Sequence, residues 1–173
     1  MPCAGFVTTC SRERGGEALS ALAARQVAGP PGAADSIGAM AVRAIHHLGV
    51  AVADLDEALA TYASLFGAEL EHRETVPDQG VEAASVRVGE SRLELLAATG
   101  ADTPVGRFLA KRGPGMHHVA YEVDDLRGTL ERLAEQGAEL IDAEPRLGLF
   151  GMQVAFVHPD AVHGVLSELV SHG

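Results

Sequence analysis

Two rhythms of apolar residues alternate along most of the chain. At Leu48, Val50 and Val52 the period is two, with His47, Gly49 and Ala51 between them. Successive side chains of a strand point to opposite faces. The segment therefore predicts a strand with one apolar face and one face that is small or carries His. From Leu55 the period changes, and Leu55, Ala58, Leu59, Tyr62, Leu65 and Phe66 fall on one face at helical spacing. Asp54 is placed to cap this helix, with Glu57 three residues on. Gly67 suits its left-handed end. Strand-like segments follow at Val81 to Val88 and Ser91 to Ala97, joined by a tight turn at Gly89-Glu90.

The whole pattern recurs 71 residues later. Ile45-His46-His47-Leu48-Gly49-Val50-Ala51-Val52-Ala53-Asp54-Leu55 is echoed by Met116-His117-His118-Val119-Ala120-Tyr121-Glu122-Val123-Asp124-Asp125-Leu126. Asp125 is placed to cap a second helix, Leu126, Thr129, Leu130 and Leu133 form its stripe, and Gly137 ends it. Gln153 to His158 and Gly164 to Val170 read as the closing strands. A unit seen twice is a duplicated compact module rather than a solenoid. Each module runs strand, helix, then two or three strands, over about residues 43–98 and 115–171 of a domain spanning 41–173.

Residues 1–40 stand apart. Fifteen of them are Ala or Gly, and Gly29-Pro30-Pro31-Gly32 interrupts any element. Such a composition buries too little apolar surface to offset its ordering entropy, so a disordered N-terminal extension is expected. With no Trp and 4 % aromatic residues, the core of the body must be Leu, Val and Ala. The net charge of −11 disfavours nucleic acid as a partner. No apolar run approaches the roughly 20 residues of a membrane span. Cys3 and Cys10 lie outside the modules, which therefore need no oxidising compartment. A cytoplasmic protein is expected.

Candidate chemistry follows from the repeat. Each module offers one His on its first strand and one Glu between apolar neighbours on its last: His47 with Glu94, and His118 with Glu168. Two imidazoles and two carboxylates make a mixed N/O set for one divalent first-row ion, with positions left for water or substrate. Strand alternation puts the first member of each pair, His46 and His117, on the opposite face. His72 and His172 read as surface residues. His158 and His163 lie near the last strand, where they could line a cavity without binding metal.

From Ile45 to Val170 the chain resembles the methylmalonyl-CoA epimerase family of the vicinal oxygen chelate superfamily. The resemblance is carried by Ile45 to Val52, Asp78-Gln79-Gly80-Val81, Glu94-Leu95-Leu96, Phe108 to His118, Glu144-Pro145-Arg146-Leu147-Gly148, and His158-Pro159 with Gly164 to Leu169. It implies an α+β fold in which two tandem βαβββ modules form an open, cupped mixed sheet around a metal site, in a homodimer. The family's ligands fall on His47, Glu94, His118 and Glu168, with Co2+ favoured over Mn2+, Ni2+, Zn2+ or Mg2+. The implied substrate is an acyl-CoA thioester. The implied reaction interconverts (R)- and (S)-methylmalonyl-CoA, or a related 2-substituted malonyl-CoA, through an enolate.

Some members pair a Gln ligand with a Glu four residues after the Gln of Gln-Gly-Val. Here these positions hold Glu94 and Ala83. The catalytic carboxylates are therefore expected in the metal shell, as Glu94 and Glu168, with Glu122 and His163 in reserve. Arg107, Lys111, Arg112 and Arg146 are candidates for the CoA end. His46 stands where the family often has Asp, Asp160 where it often has Lys, and Leu147-Gly148-Leu149-Phe150-Gly151 is bulkier than the usual glycine-rich stretch. These departures bear on the acyl group. The main rival is a glyoxalase-I-like isomerase of a glutathione thiohemiacetal, against which Glu144-Pro145-Arg146 and Phe108 to His118 count. A non-catalytic binder of the same fold would lack ligands and carry an aromatic cleft.

Overall fold

The computed structural model of the protein describes residues 42–172. The expected N-terminal extension, residues 1–40, lies outside the described residues. Chain contacts set off Met40–Gly173 as one unit.

The first module comprises β1 (Val42–Val52), α1 (Leu55–Phe66), β2 (Glu69–Val76), β3 (Val81–Val88) and β4 (Ser91–Ala98). A linking helix, α2 (Pro104–Arg112), follows. The second module repeats the order in β5 (Gly115–Val123), α3 (Leu126–Glu135), β6 (Arg146–Leu147), β7 (Gln153–Val157) and β8 (Ser167–Ser171). All eight strands form one mixed sheet in the order β2-β3-β4-β1-β5-β8-β7-β6. The two first strands pair antiparallel at its centre, and each is flanked in parallel by the last strand of its own module. This is the expected α+β architecture of paired βαβββ units. Among the described residues no helix is long and apolar enough to cross a membrane.

The local signals act as the sequence predicts. Asp54 Oδ1 accepts the Glu57 N–H at 2.8 Å, Asp125 Oδ1 accepts the Gly128 N–H at 2.9 Å, and Gly67 ends α1 at φ 63°. Leu55, Ala58, Leu59 and Tyr62 of α1 pack on Val52, Ala84, Val86 and Leu95. Leu65 and Phe66, expected in this stripe, are 68 % and 61 % exposed because the helix outruns the cluster it covers. Leu126, Leu130 and Leu133 of α3 cover Val123, Ala155, Val157 and Leu169.

Three features differ from the sequence reading. Helix α2 was not foreseen, although Thr103 caps it by accepting the Gly106 N–H at 3.0 Å and Pro104 opens it. Strand β8 begins at Ser167, not Gly164, because a short turn at Pro159–Val162 closes through His163 (φ 55°) and Gly164 (φ 91°). Strand β6 is only two residues long.

The other face of the sheet carries two small apolar clusters. Ala51, Val81, Ala83 and Leu96 lie under Val105 and Phe108 of α2, while Ala120, Met152, Val154 and Val170 pack together in the second module. The sheet curls until its edges meet over this face. Phe150, beyond β6, donates its N–H to Glu74 Oε1 of β2 at 2.8 Å, and the His72 ring meets the Phe150 ring edge-on at 4.6 Å.

Candidate metal centre

The four central strands each deliver one polar side chain to the floor of the cup. Register fixes the placement: Gly49, two residues after His47, pairs with Glu94, and Ala120, two residues after His118, pairs with Glu168. The donors converge. His47 Nε2 and His118 Nε2 are 3.0 Å apart, Glu168 Oε2 is 3.2 Å from both nitrogens, and Glu94 Oε2 is 3.6 Å from both. The strictest grouping is His47, His118 and Glu168, whose donor atoms all lie within 4.8 Å of one another. All four residues are at most 8 % exposed.

The set fits a divalent ion. Glu168 Oε2 is buried and, despite its two ring neighbours, no N–H meets it in hydrogen-bond geometry. An orphaned buried carboxylate oxygen is costly unless a cation answers it. Two nitrogens each ~2.0–2.1 Å from one ion stand about 3 Å apart when bound at right angles, in keeping with the separation seen. The charges are already mutually biased. Burial opposes the charged form of His47, but the carboxylates of Glu168 and Glu94 raise it to about 9. Burial likewise opposes the charge on Glu168, yet His118 and His47 lower it to about 2.

The neighbouring histidines do not obey simple alternation. Along β1 and β5, Ile45 pairs with Tyr121 but the next partners are His47 and Ala120, so His46 is an extra residue in β1. Likewise Gly49 pairs with His118 and Val50 with Met116, so His117 is an extra residue in β5. Each is a β-bulge, which re-aims a side chain. Both histidines, expected on the opposite face, instead lie against the cluster. His46 Nδ1 is 2.8 Å from His47 Nδ1, and His117 Nδ1 is 3.0 Å from His118 Nδ1. Burial, then the neighbouring His118, lowers His117 to about 4; burial, then His47, lowers His46.

A cavity of about 260 Å³ opens on the cluster, walled by Glu71, Ser85 and Arg92 on one side and by Leu149, Phe150 and Met152 on the other. His46, His72 and His172 also line it, so the two expected surface histidines border the cup. His158 and His163 do not line this cavity, and His158 Nδ1 instead accepts the Asp160 N–H at 3.2 Å. Glu122 is half-buried on β5 and is likewise absent from the cavity wall. Of the basic residues proposed for CoA, none lines the cavity. Arg107 bonds the Asp102 carbonyl, Arg112 lies over Phe108, and Arg146 bonds Asp142 at 3.2 Å. The cation the sequence reading missed is Arg92, whose Nε donates to Glu71 Oε2 at 2.9 Å. Alternation could have found it, two residues before Glu94. Ala83 is fully buried under α2, in register with Glu74.

Fold and site together define a duplicated βαβββ scaffold around a buried His/Glu cluster that could hold a metal ion. The chain belongs to the Glyoxalase/Bleomycin resistance protein/Dioxygenase superfamily, whose family model matches residues 46–156. An ethylmalonyl-CoA/methylmalonyl-CoA epimerase of Cereibacter sphaeroides is 37 % identical over 127 residues, covering 72 % of this chain and 95 % of that protein. The crystal structure of methylmalonyl-CoA epimerase from Mycobacterium tuberculosis superposes with a TM-score of 0.75 at 35 % identity, covering 80 % of this chain and 94 % of that one. A methylmalonyl-CoA epimerase in complex with methylmalonyl-CoA and NH4+ gives a TM-score of 0.72 at 36 % identity, covering 75 % and 94 %.

Proposed function

We propose that the protein epimerises methylmalonyl-CoA, or a closely related 2-substituted malonyl-CoA thioester, at a site holding one divalent ion. The convergence of His47, Glu94, His118 and Glu168 beneath a cavity that His47, Glu94 and Glu168 line carries this reading, and relatives that are epimerases of such thioesters support it. His47, Glu94, His118 and Glu168 hold the ion, with cobalt favoured. When bound, the ion supplies Lewis-acid stabilisation of the charge that develops on the thioester as the α-proton leaves.

The rest is work for the chain. Inversion needs one group to take the proton from one face of the carbon and another to return it on the other. With Ala83 unable to do either, Glu94 from the first module and Glu168 from the second are the two carboxylates at the cluster. Arg92 offers a cation in the cavity for an anionic part of the substrate. The opposite wall, through Leu149, Phe150, Met152 and Val154, is apolar and would shield the reacting carbon from water on that side. A cytoplasmic homodimer completes the proposal, and sedimentation at micromolar concentration tests the dimer.

The deciding experiment is exchange of the substrate α-proton in heavy water after reconstitution with cobalt. Methylmalonyl-CoA, ethylmalonyl-CoA and a glutathione thiohemiacetal are compared. Rapid exchange with the CoA thioesters and none with the thiohemiacetal is expected. Turnover of the thiohemiacetal alone overturns the reading in favour of the glyoxalase-I-like isomerase.

A further inference from the structure

Two of the three register shifts of the central strand pair, those at His46 and His117, carry an inference that rests on the ligand assignment above and goes beyond it. They are arranged alike in the two modules. In each, one extra residue is inserted immediately before the ligand histidine, and in each that residue is itself a histidine. A bulge in a sheet centre leaves a residue out of the ladder and disturbs its hydrogen bonds. Here it turns His46 and His117 onto the face of their neighbours, with Nδ1-to-Nδ1 separations of 2.8 and 3.0 Å. The ring pairs meet edge-on in both cases, at 75° and 82°.

Two imidazole nitrogens at such distances share one proton: one ring donates and the other accepts. The cluster decides which. His47 and His118 point Nε2 at each other and at both carboxylates. To offer those Nε2 lone pairs to an ion, each ring must carry its own proton on Nδ1. The second nitrogen of a metal-bound histidine needs an acceptor to fix tautomer and ring orientation, commonly a carboxylate or carbonyl. Among the described residues no carboxylate or carbonyl takes that role at His47 or His118; the partner of each Nδ1 is the bulged histidine.

We propose that His46 and His117 are positioning residues for the metal centre: each accepts the Nδ1–H of the ligand that follows it and so holds that ligand's Nε2 toward the ion. The surroundings of the two differ. His117 packs edge-on against Phe108 of α2, with ring centroids 4.9 Å apart, whereas His46 borders the cavity with His172, 6.0 Å from it. His117 is the more rigidly held, so its loss is expected to cost the more.

The test reads metal, not turnover. Cobalt(II) affinity of the full chain is measured by competition with a chromophoric chelator, and the visible spectrum of the bound ion is recorded. His46→Leu and His117→Leu, which remove the acceptor, are expected to weaken cobalt binding by roughly 10- to 100-fold and to shift the spectrum. His46→Asn and His117→Asn, which can present an amide oxygen, are expected to recover part of the loss. Leucine variants with wild-type affinity and spectrum overturn the inference, as do asparagine variants no better than the leucine ones. His47→Ala and His118→Ala separate the two readings. Full cobalt affinity in these sinks the ligand assignment, and the positioning role with it. Loss of cobalt in these but not in the leucine variants sinks the positioning role alone. Should the leucine variants fail to fold, the wild-type protein decides. In nitrogen-15 spectra of the zinc-loaded chain, His47 and His118 should be protonated at Nδ1 and their neighbours unprotonated there. A proton on Nδ1 of His46 or His117 overturns the proposal.

Discussion

Gly49 and His118 face each other across β1 and β5, and the imidazole fills the space a side chain on Gly49 would occupy. A Cβ at Gly49 would stand 2.2 Å from His118 Cε1 and 2.3 Å from its Nδ1. The matching pair of the duplicated fold is Ala120 and His47, and there a methyl is accommodated in a fully buried position. The two halves of the site are therefore alike in chemistry but not in clearance.

Gly49→Ala should accordingly displace His118, because the clash is with the ring itself and not with a flexible tip. Overpacking of this kind costs about 1–3 kcal/mol, and the misplaced nitrogen should also lower metal affinity. Ala120→Gly opposite His47 should cost roughly 0.5–1 kcal/mol of backbone entropy and about 0.8 kcal/mol for its buried methyl, and leave metal binding intact. Chelator competition and thermal melts of the two variants check the contrast; equal metal affinity in both would show that His118 can give way.

Each of the four donors should be needed for full metal occupancy, but not equally. His118→Ala removes a residue 2 % exposed and one of the two ring nitrogens 3.2 Å from Glu168 Oε2, so elemental analysis should find little metal. Glu94 Oε2, at 3.6 Å from both nitrogens instead of 3.2 Å, is the looser member. Glu94→Ala should retain more metal than Glu168→Ala. The reverse order in purified variants would contradict the geometry.

Much of this centre is visible in the sequence because it is periodic. The 71-residue offset pairs His47 with His118, the closing strand of each module carries a Glu between apolar neighbours (Glu94, Glu168), and alternation then puts all four on one face. What alternation cannot show is a bulge. A single unpaired residue reverses the facing of one side chain, and so His46 and His117 read as pointing away. Helix α2 had local signals in Thr103-Pro104 and Lys111-Arg112-Gly113, but its stripe of Val105, Phe108 and Leu109 is short. The cavity wall around Glu71 and Phe150 was hidden for another reason. It depends on the sheet's edges meeting through Glu74 and Phe150, a contact 76 residues apart in sequence.

Stability after chelation should depend on pH in a defined way. His47 is raised from 6.5 to about 9, so its contribution is complete below pH 6.5 and is lost as pH rises through 9. Glu168 is lowered from 4.5 to about 2, so its contribution is complete above pH 4.5 and is lost as pH falls through 2. The chelated protein should melt highest between about pH 4.5 and 6.5. Saturating zinc should abolish the alkaline decline, because the ion replaces the proton that leaves His47. Calorimetric scans at both metal conditions test this; a melting temperature that climbs from pH 6.5 to 9 in the chelated protein would refute it.

The two carboxylates of the cluster should carry the proton transfer. The epimerisation needs a base and an acid on opposite faces of one carbon, and Ala83 supplies neither. Glu94 and Glu168 enter the site from β4 and β8, on opposite sides of the central strand pair. Coordination lowers a carboxylate's basicity, so the group that moves a proton must use its free oxygen or a loosened bond; the wider 3.6 Å spacing makes Glu94 the readier of the two. Glu94→Gln and Glu168→Gln keep an oxygen ligand but remove the proton-transferring function. Each should retain much of its metal and lose about two to four orders of magnitude in turnover, the range for a general base. The directions should differ. If each carboxylate serves one face, each Gln variant will still exchange the α-proton of one enantiomer in heavy water while failing to invert it, and the two variants will favour opposite enantiomers. If both hold metal and invert substrate at near wild-type rate, the base lies elsewhere. Glu71 then becomes the first candidate, since it borders the cavity beside Arg92 and Ser85, whereas Glu122 and His163 do not reach the wall.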